Sequence, residues 1–247
     1  MRLTVIGSGD AFGSGGRFNT CFMVEAGASR VLLDCGASSL VALKARGVDP
    51  NSIDGVILSH LHGDHFGALP FLLLDAQHLS RRTRPLTVLG PPGTRERLRV
   101  AREVLFPGSS QTPLRFAFEV GEISPGVPEA ALGFSIVTAA VIHNSGAPST
   151  AVRLAAGGKT LAYSGDTEWT DELIPIAAGV DLLIVECYDY ARDLKGHMSF
   201  AKLMEKRALL AARRIMLTHM NPTMLARTAE AAAQGFLVAE DGLVVDL

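Results

Sequence analysis

The chain has 247 residues, 48% hydrophobic and 19% charged, with a formal net charge of −2. That length allows one large α/β domain or two small ones, and the near-neutral balance excludes the basic footprint of a general nucleic-acid binder. No apolar run approaches the roughly 20 residues of a membrane span. The opening MRLTVIGSGDAFG lacks the pattern of a signal peptide. Cys21, Cys35 and Cys187 are too few and too scattered for a disulfide framework. Reduced, buried thiols in a cytoplasmic protein are therefore expected.

In chain order, RLTVIG, TCFMVEA and RVLLD are rich in β-branched or aromatic residues and read as strands. SSLVALKARG reads as a short helix, with Ser38 or Ser39 at its cap and Gly47 at its stop. IDGVILSH is a continuous apolar run, as a buried strand requires. A helix is expected from about His65 through Gln77. PLTVLG is a strand and PPGTRERLRVAREVLF an amphipathic helix. Residues 107–130 read as loops around one strand, LRFAFEV. FSIVTAAVIH, TAVRLAAG and KTLAYSGD then read as three successive strands, DELIPIAAG as a helix and VDLLIVE as a strand. MSFAKLMEKRALLAA is a helix, RRIMLTH a strand and PTMLARTAEAAAQ a helix. The closing FLVAEDGLVVDL fits a hairpin turning at Asp241-Gly242. Two sheets packed face to face, with helices outside, would bury such strands on both faces.

The stretch LSHLHGDHFG concentrates His60, His62, Asp64 and His65, three of the seven histidines, at the end of a buried strand. Strand alternation points His60 and His62 the same way, and Asp64 and His65 follow where the chain bends into a helix. Imidazole and carboxylate together suit zinc, manganese, iron or nickel. An exposed loop that happens to be His-rich is the plain alternative. His143, Asp166 and His219 each close another apolar run. Alone, each would be an ordinary surface residue; together they supply further imidazoles and a carboxylate able to bridge.

With SHLHGDH, His143, SGDT and THM in that order, the chain resembles the metallo-β-lactamase superfamily, most weakly over residues 107–130. The resemblance implies a four-layer αββα sandwich, an α/β fold forming a single hydrolase domain over residues 1–247, with a dinuclear site at the sheet edges. It implies that His60, His62 and His143 hold one divalent ion, that Asp64, His65 and His219 hold the other, and that Asp166 bridges them. Asp34, in VLLDCG, matches an aspartate that supports the site from behind; a strand-end turn residue is the alternative. Zinc is the first expectation, with manganese, iron or nickel open. Two ions roughly 3.5–4 Å apart would lower the pKa of a shared water and neutralise charge on a substrate oxygen.

The segment VECYDYARDLKGHMSFAKL, with RPLTVLGPPG and GSGDAFGSGGRFNTC, is similar to the ribonuclease Z and cyclic-phosphodiesterase branch. There a histidine in this position contacts phosphate and acts as general acid beside a glutamate. This implies His197 and Glu186, which join Asp64 as the expected catalytic residues. A solvated histidine ahead of a helix is the alternative for His197. Ribonuclease Z enzymes carry a long tRNA-clamping arm in the interval held here by residues 143–166, where there is room only for two strands and a turn. The arginines of SRRTR and TRERLRVAR are expected to be solvated, and no stable nucleic-acid partner is expected. The phosphoribosyl cyclic phosphodiesterases lack the arm, but some carry a Cys-rich zinc site where this chain has Cys21 alone.

Gly7-x-Gly9 hints at a dinucleotide fold, but a strand follows where the phosphate-binding helix would start. A flexible loop bordering the metal cleft is expected instead, and Trp169 is expected in core or rim packing. The expected function is hydrolysis of a small phosphodiester, cyclic or nucleotide-like, by a metal-bridging hydroxide. A carboxylic ester, lactone or thioester hydrolase on the same site is the alternative. A non-catalytic, metal-bound ligand-binding protein is the second. The expected partner is a small-molecule substrate, with no membrane association; a homodimer is left open.

Overall fold

The computed structural model describes residues 1–247. The chain opens with strands β1 (Arg2–Gly7), β2 (Cys21–Ala26), β3 (Ser29–Leu33), β4 (Gly55–Ile57), β5 (Leu86–Gly90) and β6 (Phe118–Glu122). It continues with β7 (Glu129–Ala131), β8 (Phe134–Ala140), β9 (Thr150–Ala156), β10 (Lys159–Tyr163), β11 (Leu182–Glu186), β12 (Ile215–Thr218), β13 (Leu237–Val238) and β14 (Val244–Asp246). These form two seven-stranded mixed sheets, ordered β14-β1-β2-β3-β4-β5-β6 and β13-β12-β11-β10-β9-β8-β7.

Side-chain alternation assigns each strand residue to a layer. Leu3 and Val5 of β1, Phe22 and Val24 of β2, and Val31 and Leu33 of β3 face inward. They meet Leu182 and Ile184 of β11 and Met216 of β12 in one core between the sheets. The intervening Ile6, Cys21, Met23 and Leu32 face outward, beneath α1 (Ser39–Ala45), α2 (Gly63–Phe66), α3 (Leu69–Leu74) and α4 (Thr94–Leu105). On the far side, Leu183, Val185, Ile215 and Leu217 pack under α5 (Leu173–Ala177), α6 (Phe200–Lys206), α7 (Pro222–Leu225) and α8 (Thr228–Ala233). The result is the four-layer αββα sandwich. No helix is long and apolar enough to cross a membrane.

Within the sheets β3, β4 and β5 run parallel, as do β10, β11 and β12. Their carboxyl ends share one edge of the sandwich, where open α/β sheets place ligands. The segments after β3, β4, β10 and β12 lead to Asp34, His60, Asp166 and His219, and β11 ends on Glu186.

Several local expectations are corrected. The helix expected from His65 through Gln77 breaks into α2, α3 and a π-helical turn at Asp75–Leu79. Gly67 closes the first piece on the Gly63 carbonyl and Pro70 enters the first turn of the second. The helices expected after Met198 and Asn221 are likewise shorter, the second splitting into α7 and α8. The closing segment is no hairpin: β13 pairs with β12 in one sheet and β14 with β1 in the other. Asp241, at the supposed turn, instead accepts the Ser8 N–H, the Ser8 hydroxyl and the Phe18 N–H. Residues 107–130 contain β6 and most of a second short strand, β7. Arg82 of SRRTR is not solvated; it is 2% exposed, its guanidinium bonded to the carbonyls of Arg84, Pro50, Ile53 and Pro85.

Candidate metal centre

The sequence-expected ligands converge. His60, His62 and His143 bring ligand atoms within 4.8 Å of one another, and so do Asp64, His65, Asp166 and His219. Asp166 joins the two groups. Its Oδ2 lies 3.2 Å from Nε2 of His65 and of His219, 3.9 Å from that of His60 and 4.0 Å from that of His143. Asp64 Oδ2 lies 3.2 Å from His65 Nε2 and 3.9 Å from His219 Nε2.

Each of four imidazoles is fixed from behind. His65 Nδ1–H donates to Asp34 Oδ2 at 2.8 Å. Ser59 gives its hydroxyl proton to the same carboxylate, so its oxygen is left to accept from His60 Nδ1 at 3.0 Å. His143 Nδ1–H donates to the Gly196 carbonyl at 2.8 Å. Thr20, its own proton on the Gly9 carbonyl, accepts from His219 Nδ1 at 3.3 Å. Each bond selects the tautomer with a lone pair on Nε2, directed at the cluster. His62 presents Nδ1 instead, 3.0 Å from His143 Nε2.

This donor set fits divalent ions. His60 Nε2, His65 Nε2 and Asp166 Oδ1 are buried with no hydrogen-bond partner, a cost of about 1–3 kcal/mol for each such group unless something binds it. Asp34 and His219 both have φ of 59°, a left-handed conformation uncommon outside glycine. Such strain persists where surrounding contacts enforce it; here the Asp34 carboxylate also accepts the Ser59 N–H, and the His219 N–H reaches the Ser8 carbonyl.

Burial lowers the pKa of His60, reinforced by His65, and burial also lowers those of His143 and His219. For His65 burial works the same way, but Asp166, Asp64 and Asp34 outweigh it and raise its pKa well above the ordinary value, so a bound cation would have to displace a proton from Nε2. Asp166 resists protonation although buried, because His219, His65 and His60 surround it.

His197 sits beside the cluster, its Nδ1 3.0 Å from Oε2 of the fully buried Glu186. The Thr167 N–H donates to the other Glu186 oxygen. Burial, then the Asp166 charge, pushes Glu186 up to about 8. Burial opposes the charge on His197, yet Glu186 lifts it to about 9. Both directions keep a proton on the pair at neutral pH. His197 also approaches His143 and Asp166 closely enough to complete a third potential ligand set.

A cavity of about 120 Å³ lies over the cluster, with Ala11, Phe12 and Tyr188 among its walls. It shares His62, His143 and His197 with a groove of about 670 Å³ bordered by Asn144, Glu168 and Lys195. Sequence reasoning passed over Ser59, Thr20 and the Gly196 carbonyl, all of which orient the candidate ligands. Ser59 directly precedes His60, a signal that was available. Tyr188, two positions beyond Glu186, was also missed; its ring stacks on His197 at 4.7 Å between centroids and 28° between planes. Trp169 lies half-buried against the outer core of the second sheet.

The family profile described as anti-Pycsar protein Apyc1 matches residues 1–242. The chain belongs to the Apyc1 family, within the metallo-β-lactamase superfamily. A ribonuclease Z of Mycobacterium bovis (strain BCG / Pasteur 1173P2) is 30% identical over 196 residues, covering 74% of this chain and 69% of that protein. The metallo-β-lactamase fold protein YhfI of Bacillus subtilis superposes with a TM-score of 0.80 at 25% identity, covering 99% of this chain and 98% of YhfI. Human short-form tRNase Z shares the fold, with a TM-score of 0.79, 24% identity and coverage of 100% and 99%. This Apyc1-family chain is a metal-dependent hydrolase.

Proposed function

We propose that residues 1–247 form one domain that hydrolyses a small phosphodiester, cyclic or nucleotide-like, with two divalent ions, zinc foremost. The observation that carries this reading is the Glu186–His197 pair, held at 3.0 Å beside the ligand cluster. The relative named ribonuclease Z supports the same bond type. His60, His62 and His143 would hold one ion and Asp64, His65 and His219 the other, with Asp166 between them. When bound, such ions supply a water of lowered pKa and neutralise charge on the phosphoryl oxygens.

The chain's own residues do the rest. The imidazolium of His197 contacts a phosphoryl oxygen and gives its Nε2 proton to the leaving alkoxide. Glu186 orients that ring and favours its charged form. Asp64, whose side chain is 12% exposed, accepts the proton of the attacking water at the cavity. The interval between His143 and Asp166 holds β9 and β10, which supports a small-molecule substrate and no nucleic-acid clamp. Three buried free thiols support a cytoplasmic setting.

The test is a substrate profile of the metal-reconstituted protein under zinc, manganese, iron and nickel. Bis(4-nitrophenyl) phosphate should be turned over repeatedly, with kcat/KM above that for nitrophenyl esters and thioesters. Chelation should abolish the activity and added metal restore it. Faster ester or thioester cleavage would replace the phosphodiester reading; no turnover under any metal would leave a binding protein.

A further inference from the structure

The cavity over the ligand cluster is small. At about 120 Å³ it lies below the roughly 300–1,000 Å³ of ordinary small-molecule sites. A phosphodiester group fits there, but its two ester substituents must lie outside, against whatever borders the mouth.

One border is Phe12. It is 80% exposed, the most exposed large hydrophobic side chain of the protein, and it lines this same cavity. Its loop is braced by hydrogen bonds on both sides of the glycines. The buried Asp10 accepts the Phe12 N–H at 3.1 Å, the Ser14 N–H at 2.9 Å and the Ser14 hydroxyl at 2.7 Å. Asn19 Nδ2–H donates to the Asp10 carbonyl at 2.9 Å, and the Gly9 N–H to the Phe18 carbonyl at 2.7 Å. Arg17 ties the loop to Ser8 and to the Ala239 carbonyl. Gly13, Gly15 and Gly16 take left-handed angles that turn the chain around this hub. An apolar ring is thus held in water, by a braced loop, at the mouth of a polar centre. Tyr188 forms another wall of the same cavity, its ring already committed to His197.

We propose that Phe12 is a specificity-determining residue whose exposed ring stacks against the flat heterocycle of a nucleotide substrate while the phosphodiester occupies the cavity beneath. The inference deepens the phosphodiesterase reading and rests on it. Stacking on an aromatic side chain is tolerant of base identity, so Phe12 selects nucleotides over base-free phosphodiesters without choosing among bases.

The test compares Phe12→Ala, Phe12→Trp and the unmodified chain, all metal-reconstituted, with thermal melting confirming that each is folded. Ring opening of a 2′,3′-cyclic nucleotide and of base-free ribose 2′,3′-cyclic phosphate is followed by phosphorus NMR. Phe12→Ala should raise KM for the nucleotide about tenfold or more, leave kcat within about twofold, and leave the base-free compound unchanged; Phe12→Trp should restore the nucleotide KM. Equal losses on both compounds, or none on either, would overturn the proposal. Binding of adenosine 5′-monophosphate and ribose 5-phosphate is measured by calorimetry on the same proteins. A preference for the nucleotide that disappears in Phe12→Ala, in a protein that opens neither ring, would keep the stacking site and remove the phosphodiesterase reading. Turnover of both rings with no such preference would do the reverse.

Discussion

Asp34 Oδ2 accepts the Nδ1–H of His65 at 2.8 Å, with both side chains fully buried. The contact fixes which nitrogen of His65 faces the cluster. The same carboxylate takes the Ser59 hydroxyl proton, and Ser59 then receives His60 Nδ1–H. One aspartate outside the cluster therefore sets the tautomers of two histidines, one in each ligand group.

Asp34→Asn tests that arrangement. Asparagine tolerates the left-handed backbone at this position, so the fold should survive. Its uncharged amide no longer favours both protons where they stand. Metal affinity should fall by about 10–100-fold, the usual effect of losing a buried partner behind a ligand. Competition with a chromogenic chelator measures it; unchanged affinity would reduce Asp34 to a turn residue.

Asp166→Ala should damage metal binding more broadly than His143→Ala. Asp166 Oδ2 lies within 4.0 Å of four imidazole nitrogens. Removing it deletes the only carboxylate that reaches both groups and would leave two bound cations with less charge between them. Elemental analysis after reconstitution should give two ions in the unmodified chain, with a larger loss for Asp166→Ala. The opposite order would sink the assignment of the bridge.

His197→Ala should retain metal and fold while losing roughly 10²–10⁴ in rate on a substrate with a poor alkoxide leaving group. With nitrophenolate, which leaves without a proton, the loss should be smaller. Glu186→Gln should give a milder version of the same pattern. Identical losses on both substrates would exclude His197 as the acid, and lost metal would make it a ligand, as its nearness to His143 and Asp166 allows.

Asp189 carries a pH-dependent share of stability away from the cluster. It is 2% exposed and accepts the Ala191 and Arg192 N–H groups, Arg192 Nη2, Asn221 Nδ2 and the Thr223 hydroxyl. Burial opposes its charge, but these bonds outweigh burial and hold its pKa well below the usual carboxylate range. A depressed pKa in the folded state stabilises fully above the unfolded value of about 3.9 and less as pH falls below it. Asp189→Asn should cost about 1–3 kcal/mol near pH 7, and the gap to the unmodified chain should narrow below about pH 4. Denaturant titrations at several pH values check this; a gap independent of pH would contradict it.

The fold and the ligand cluster were legible for different reasons. The apolar runs in VIG, CFMV and RVLL mark strands buried on both faces without any tertiary information, though only the packing says which face is inner. The ligands stood out because histidine is scarce and each candidate ends an apolar run. What escaped depends on distant partners. Nothing local in FLVAEDGLVVDL says that its two strands join different sheets; Asp241 settles it by reaching Ser8 and Phe18. Arg82 reads as solvated until four carbonyls close around it. Phe12 looks like one more apolar residue among glycines, and only its exposure over the cavity sets it apart.

The centre draws its donors from both sheets. His60, His62, Asp64 and His65 follow β4 in one; His143, Asp166 and His219 follow β8, β10 and β12 in the other. Neither half of the chain can assemble it alone; the centre requires contacts of high sequence separation to close. A captured ion would then act as a rivet between the halves, binding the native state more tightly than the unfolded one. Retained metal becomes a gauge of completed assembly. An inter-sheet cavity, such as Phe22→Ala would open beside Tyr163, should appear as leakage of metal before any strand or helix is lost.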